Sequence, residues 1–198
     1  MKEEWKAIAL DYSDKDWPFS SAYAWLQEVN QNPTPFNLTQ YANELRLSGN
    51  MEEAMNVMSK VEIDKMPEEY KFVYHVRIGT IYADQSQISE SVKSFRNAVR
   101  LNPKVTYPYI FLATELSKLN QLDEVEQTLL QALTKNGDID EVNFNLSTNY
   151  ARKGNFVDAI KFMKACLEID PNYENAREWL GDFENMNSDL LKEVISNK

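Results

Sequence analysis

Cysteine is almost missing from this 198-residue chain; Cys166 is the only one. A single thiol excludes an intramolecular disulfide and any cysteine-rich metal site. Histidine is as scarce, with His75 alone. Asp, Glu and Cys do not stand three or four residues from it, so it has no helical partners for a metal. No paired base motif accompanies any Ser or Cys, which removes the usual nucleophile arrangements. The five glycines are scattered, so no Gly-rich phosphate loop is present. No apolar run approaches the roughly 20 residues that cross a bilayer. The opening MKEEWKAIALDY is acidic and short of apolar length, unlike a secretory signal. These absences predict a chain that is not an enzyme, holds no metal or cofactor, avoids membranes and resides in the cytoplasm. Basic residues are also outnumbered, 21 against 31 acidic, for a net charge of −10. That excludes nucleic acid as the expected partner, because phosphate binding needs clustered Lys and Arg. It leaves two uses for the charge: a solvated outer face, or steering of a basic partner.

What the chain does contain is a repeat. Between Val73 and Pro103 two amphipathic segments flank a short polar turn. Ile78, Gly79 and Tyr82 share one face of the first, and Phe95 and Ala98 share one face of the second. A small residue at Gly79 lets the second helix come close, and Pro103 stops it. At a step of 34 residues the pattern returns as Leu112, Ala113, Leu116, Leu129, Ala132 and Gly137. It returns again as Leu146, Ser147, Tyr150, Gly154, Ala159, Met163, Cys166 and Pro171, and begins once more at Leu180 and Gly181. Upstream, Tyr41, Ala42, Leu45, Gly49, Ala54 and Met58 fit, with three extra residues around Met66 to Glu69. The first 33 residues fit loosely through Trp5, Ile8, Ala9, Tyr12, Trp25 and Pro33.

With that period and those positions the chain resembles the tetratricopeptide repeat family. The resemblance implies an all-α, right-handed superhelical solenoid of about five to six antiparallel helix pairs. Residues 1–34 form a degenerate N-terminal pair, 35–171 the core repeats, and 172–198 a C-terminal capping pair split into Tyr173 to Glu184 and Ser188 to Ser196. Asn185, Asn187, Asp189 and Lys192 are placed to wet the outer face of that cap. Trp5, Trp17 and Trp25 read as core and cap packing, or as an aromatic edge offered to a partner.

In this family the first helix of each pair lines an inner groove. The groove positions lie two before and two after the core residues Ile78, Leu112 and Leu146. They are Val76 and Thr80, Ile110 and Thr114, and Phe144 and Thr148, an apolar residue and a threonine three times over. One turn on stand Ala83 and Asp84, Ser117 and Lys118, and Ala151 and Arg152. Thr39, Asn43, Arg46 and Leu47 match them in the earlier unit. Some family members grip a terminal carboxylate with asparagine and basic residues. Asn43 fits that pattern, but Thr39, Ile110 and Thr114 stand where the cations belong, which argues against it. The reading is a protein–protein interaction module, an adaptor that binds a peptide or helix of a partner in an apolar and hydroxyl-lined concave groove. The alternatives are an assembly or secretion-type chaperone, a self-associating scaffold that forms a homo-oligomer, and the repeat domain of a peptide-sensing regulator. The last is weakened because no basic helix-turn-helix is visible.

Overall fold

Eleven α-helices account for the computed structural model, which describes residues 4–196 and, of their side chains, all but those at 191 and 193–196. The chain divides into two compact units, residues 1–102 and 103–198. In the first unit lie α1 (Trp5–Asp14), α2 (Pro18–Gln31), α3 (Pro35–Leu47), α4 (Met51–Ser59), a 3-10 turn at Ile63–Lys65, α5 (Glu68–Asp84) and α6 (Ile88–Leu101). In the second lie α7 (Tyr107–Lys118), α8 (Leu122–Ala132), α9 (Ile139–Arg152), α10 (Phe156–Ile169) and α11 (Ala176–Ser196). The described residues contain no strand, only one isolated parallel bridge between Val105 and Asn136. None of their helices is long and apolar enough to cross a membrane. The 3-10 turn occupies the connection lengthened by three residues.

Each pair closes in the same way. The second residue after the first helix takes a left-handed backbone: Asp16, Gly49, Ser86, Asn120 and Gly154, with φ of 54, 84, 59, 56 and 75°. The next N–H then donates to a carbonyl five residues back. These bonds are Trp17 to Tyr12 (3.0 Å), Asn50 to Leu45 (2.8 Å), Gln87 to Tyr82 (2.8 Å), Gln121 to Leu116 (3.1 Å) and Asn155 to Tyr150 (2.9 Å). This is the Schellman closure, which satisfies carbonyls that a helix end leaves open and turns the chain back on itself. Pro18 and Pro35 start helices at positions where a missing N–H costs nothing.

The stripes set by the 34-residue step are the packed faces. In the first unit Ala42, Leu45, Ala54, Met58, Ile78 and Ile81 form one buried cluster, and Ala9, Ala24 and Trp25 another, with Tyr41 against both. Trp25 is therefore core, whereas Trp17 is 53% exposed. In the second unit Leu116, Leu129, Leu146, Met163 and Cys166 are buried. Burial pushes the Cys166 thiol up to about 11, so it stays protonated. The close approach expected at Gly79 is real: a Cβ there would lie 2.7 Å from Cε1 of the buried Phe95 ring.

One expectation changes. The two helices foreseen over 173–196 are a single helix, α11, of 21 residues. Asn185, Asn187 and Ser188 look like turn formers, but neither glycine nor proline interrupts them and no left-handed residue occurs there. The C-terminal element is thus one helix. Its Gly181 keeps the register of Gly79 with no described atom within 4 Å of a built Cβ. Asn185, Asp189 and Lys192 are exposed and Asn187 is partly so, as a wetted cap requires.

Two paired substitutions test these constraints by thermal unfolding. Gly154→Ala is expected to lower stability by about 1–2 kcal/mol and Ser86→Gly to raise it by about 1 kcal/mol, since only the left-handed position is altered. Gly79→Val is expected to cost about 1–3 kcal/mol by forcing Phe95 aside, while Gly181→Ala gains about 0.5–1 kcal/mol from helix entropy alone.

Candidate functional site

The residues foreseen as groove-lining fall in both units. Asn43, Arg46, Val76 and Thr80 are in the first, on α3 and α5; Ile110, Thr114, Lys118, Phe144, Thr148 and Arg152 are in the second, on α7 and α9. The apolar members are not presented as a ladder. Val76 and Ile110 are 3% and 4% exposed. Phe144 is half-buried, its ring stacked on Tyr173 (4.9 Å between centroids) and tilted against Trp179 (5.3 Å). Its apolar surface seats α11 on α9. A helical stripe gives direction but does not say whether a neighbour covers it, and here neighbours do.

The threonines differ in another way. Each hydroxyl donates to its own helix: Thr80 to Arg77 O (2.8 Å), Thr114 to Ile110 O (3.0 Å) and Thr148 to Asn145 O (3.0 Å). The proton is committed in each, and what remains for a ligand is a lone pair.

The charged members are cross-braces. In the first unit Arg46 on α3 reaches Asp84 on α5 at 2.7 Å. Asn43 is buried and donates to Glu44 Oε1 (3.2 Å), which also accepts from Ser13 (3.2 Å). Asn43 Oδ1 and Arg46 Nε are buried without a hydrogen-bond partner among the described residues. In the second unit Arg152 on α9 reaches the end of α7, donating to Ser117 O (3.2 Å) and Oγ, and to Asn120 Oδ1 (3.2 Å). Lys118 holds Glu115 Oε1 at 2.6 Å, and Glu115 is 3% exposed with Oε2 unpartnered.

Three of these six second-unit residues do not meet in one place; the other three do, with help. Thr114, Lys118 and Thr148 line a cavity of about 210 Å3 between α7, α8 and α9, together with Ser117, Asn145 and Asn149. Val125 and Leu129 form its apolar floor. Asn149 was not foreseen. It is buried, its Nδ2 donates to Leu122 O (3.0 Å), and its Oδ1 has no partner among the described residues. The carbonyl acceptor fixes which end of the amide is nitrogen, so the orphan is the oxygen. No sequence signal marks it, because the deciding bond spans 27 residues. Among the described residues no group of three or more His, Cys, Asp or Glu is placed to hold a metal.

Two tetratricopeptide repeat family models match, over residues 73–105 and 140–173. Human interferon-induced protein with tetratricopeptide repeats 2 is 29% identical over 133 residues, which are 65% of this chain and 28% of that protein. The chain is a tetratricopeptide repeat protein. It spans little more than a quarter of that relative's length. The repeat fold is shared with TTC0263, a thermophilic repeat protein of Thermus thermophilus, at 16% identity and a TM-score of 0.68 over 92% of this chain and 98% of that one. It is shared also with YrrB, a repeat protein with an unusual peptide-binding site, at 16% identity and a TM-score of 0.64 over 88% and 89%.

A polar network braces α9 on α8. Tyr150 donates to Glu126 (2.9 Å), and Lys153 holds both Asp123 (2.7 Å) and Glu126. The Lys153 hydrogen bond keeps the Glu126 carboxyl below its ordinary 4.5. Burial, then the bond to Glu126, pushes Tyr150 up to about 12. A depressed carboxyl contributes stability above its unfolded value and loses it as pH falls through the folded one. Lys153→Met is therefore expected to lower the melting temperature at pH 7, and the gap to the parent chain should narrow below pH 4.5. A gap that stays constant into acid would show that the network contributes nothing through charge.

Proposed function

We propose that this tetratricopeptide repeat protein is a protein–protein interaction module that docks a polypeptide segment of its partner in the crevice between α7 and α9. Tetratricopeptide repeats as a class serve protein recognition, and YrrB's peptide-binding site is in keeping with that. The observation that carries the reading is the cavity of about 210 Å3 between α7, α8 and α9, lined by Thr114, Ser117, Thr148 and the 3% exposed Asn149, whose buried Oδ1 has no hydrogen-bond partner among the described residues. Thr114 and Thr148 add lone pairs beside it.

The reading differs from the apolar groove expected from the sequence. With Val76 and Ile110 buried, the crevice offers hydrogen-bond geometry rather than hydrophobic area, so affinity depends on matching donors. A random-peptide display selection against the chain tests it. Selected peptides are expected to bind Thr148→Phe at least about tenfold more weakly, the loss of one well-made contact region. Undiminished binding to a Thr148→Phe chain that keeps its melting temperature would move the site off this crevice.

A further inference from the structure

The five closures supply an internal control for the outer surface of the second helices. Their left-handed residues, Asp16, Gly49, Ser86, Asn120 and Gly154, mark the same point in each pair. Three residues on stand Phe19, Glu52, Ser89, Asp123 and Val157; seven on stand Tyr23, Asn56, Lys93, Gln127 and Lys161. All of these are exposed, so both places face outward in every pair. The four later pairs fill the second place with Asn, Lys, Gln and Lys. Only α2 carries aromatic rings at both, Phe19 at 70% exposure and Tyr23 at 59%. Its opposite face is already packed, with Ser21, Ala24 and Trp25 buried. A surface helix keeps its apolar residues to the packed stripe, so a second apolar face on α2 calls for a second neighbour.

The rings around these two are ordered. Trp5 meets Tyr23 edge to face (6.1 Å), and Trp17, 53% exposed, lies against Tyr12 (5.9 Å). Charge is missing from the same surface. Between Asp16 and Glu44 the one charged residue is Glu28, in a chain of which 26% is charged. Glu28 is engaged by the amide of Asn37 on α3 (3.1 Å). At the N-terminal rim Lys15 is held by Asp11 (2.7 Å). Aromatic enrichment with charge depletion is the composition of an interface centre. We propose that a second copy of the chain covers this face, α2 packing on α2 across a two-fold axis. Two chains of −10 repel wherever their carboxylates oppose one another, and α2 lets them meet without doing so. A two-fold contact requires a face that matches itself. Phe19 and Tyr23, one turn apart, do so on antiparallel helices, where each ring meets a ring of the other copy. The exposed parts of Trp17, Phe19 and Tyr23 amount to roughly 350 Å2 per chain, against about 800 Å2 per partner in a standard interface. The dimer is therefore weak and reversible. This face belongs to the first unit and works independently of the crevice between α7 and α9.

Sedimentation velocity of the full chain tests it. Between about 1 and 500 μM the parent chain is expected to shift from monomer to dimer, the regime of a small interface. Phe19→Glu combined with Tyr23→Glu is expected to weaken association at least about tenfold and to leave the melting temperature unchanged, since both side chains are exposed. Val157→Glu, at the matching place on α10, is expected to leave association as it was. Phe19→Lys combined with Tyr23→Lys is expected to be monomeric alone and to form a one-to-one dimer when mixed with the acidic variant, because opposite charges then face across the axis. Raising salt from about 0.05 to 0.5 M is expected to strengthen the parent dimer by screening the repulsion of two acidic chains. A parent chain that stays monomeric throughout overturns the proposal. So does a dimer that the acidic variant keeps, that salt weakens, or that the mixed variants fail to restore. A monomeric chain that captures a different protein through Phe19 and Tyr23 also overturns it, since the occupant is then not a second copy.

Discussion

A backbone hydrogen bond from one residue past a left-handed turn to a carbonyl five back is what the rest of this molecule depends on. It occurs in all five helix pairs. The helices it joins have 9 to 17 residues. Isolated helices of that length are marginal in water, because nucleation is costly and their propensity alone is small. The turn reverses the chain within three residues and sets the two helices side by side. The stripes at 78, 79 and 82, and at 95 and 98, then face one another. Only after that does Gly79 matter, because a missing Cβ helps only where a ring is already aimed at it. Gly181 makes the point by contrast: it has the same register, but no described atom lies within 4 Å of a Cβ built there.

The same packing decides what is left for recognition. Repeats stack by burying the apolar residues that precede the threonines, and Val76 and Ile110 go with them. The foreseen groove residues that remain at the surface of α3, α5, α7 and α9 are mostly polar, and most of these are already engaged. Arg46 ties α3 to α5, Arg152 ties α9 to α7, and Lys153 ties α9 to α8. Such braces add little stability when exposed. They hold neighbouring helices at a fixed spacing, and so they hold the crevice walls of the second unit in place. A recognition site on such a scaffold is pre-organised by contacts that are themselves of small energy.

The first five helix pairs, their boundaries to within a few residues, the buried stripe at the 34-residue step and the glycine contact are legible in the sequence, because each follows from a local period, whereas the burial of Val76 and Ile110 is not. Gly49 and Gly154 are legible as turn residues for the same reason. Asp16, Ser86 and Asn120 take the same conformation without the glycine signal, since a strong tertiary closure overrides the modest cost of a Cβ in that region. The continuity of α11 is not legible, because Asn and Ser only weaken a helix, whereas Pro or Gly would have broken it. At the candidate crevice, the repeat register puts Thr114 and Lys118 on α7 and Thr148 on α9, and the three line one cavity. The register does not reveal their hydrogen bonding: a threonine whose hydroxyl bonds its own helix offers an oxygen, not a proton. Asn149 is out of reach of the sequence altogether, as its state depends on a carbonyl of another pair.

Charge and contact act at different ranges. Beyond about 10 Å in ordinary salt the net charge is screened, so it raises the encounter rate of a basic segment without choosing among basic segments. Choice has to come from contact. Contact chemistry at the crevice between α7 and α9 is set by what each lining residue has already committed: Thr114 and Thr148 give their protons to their own helix, and Lys118 is held by Glu115 at 2.6 Å, so these groups are fixed in place by the fold itself.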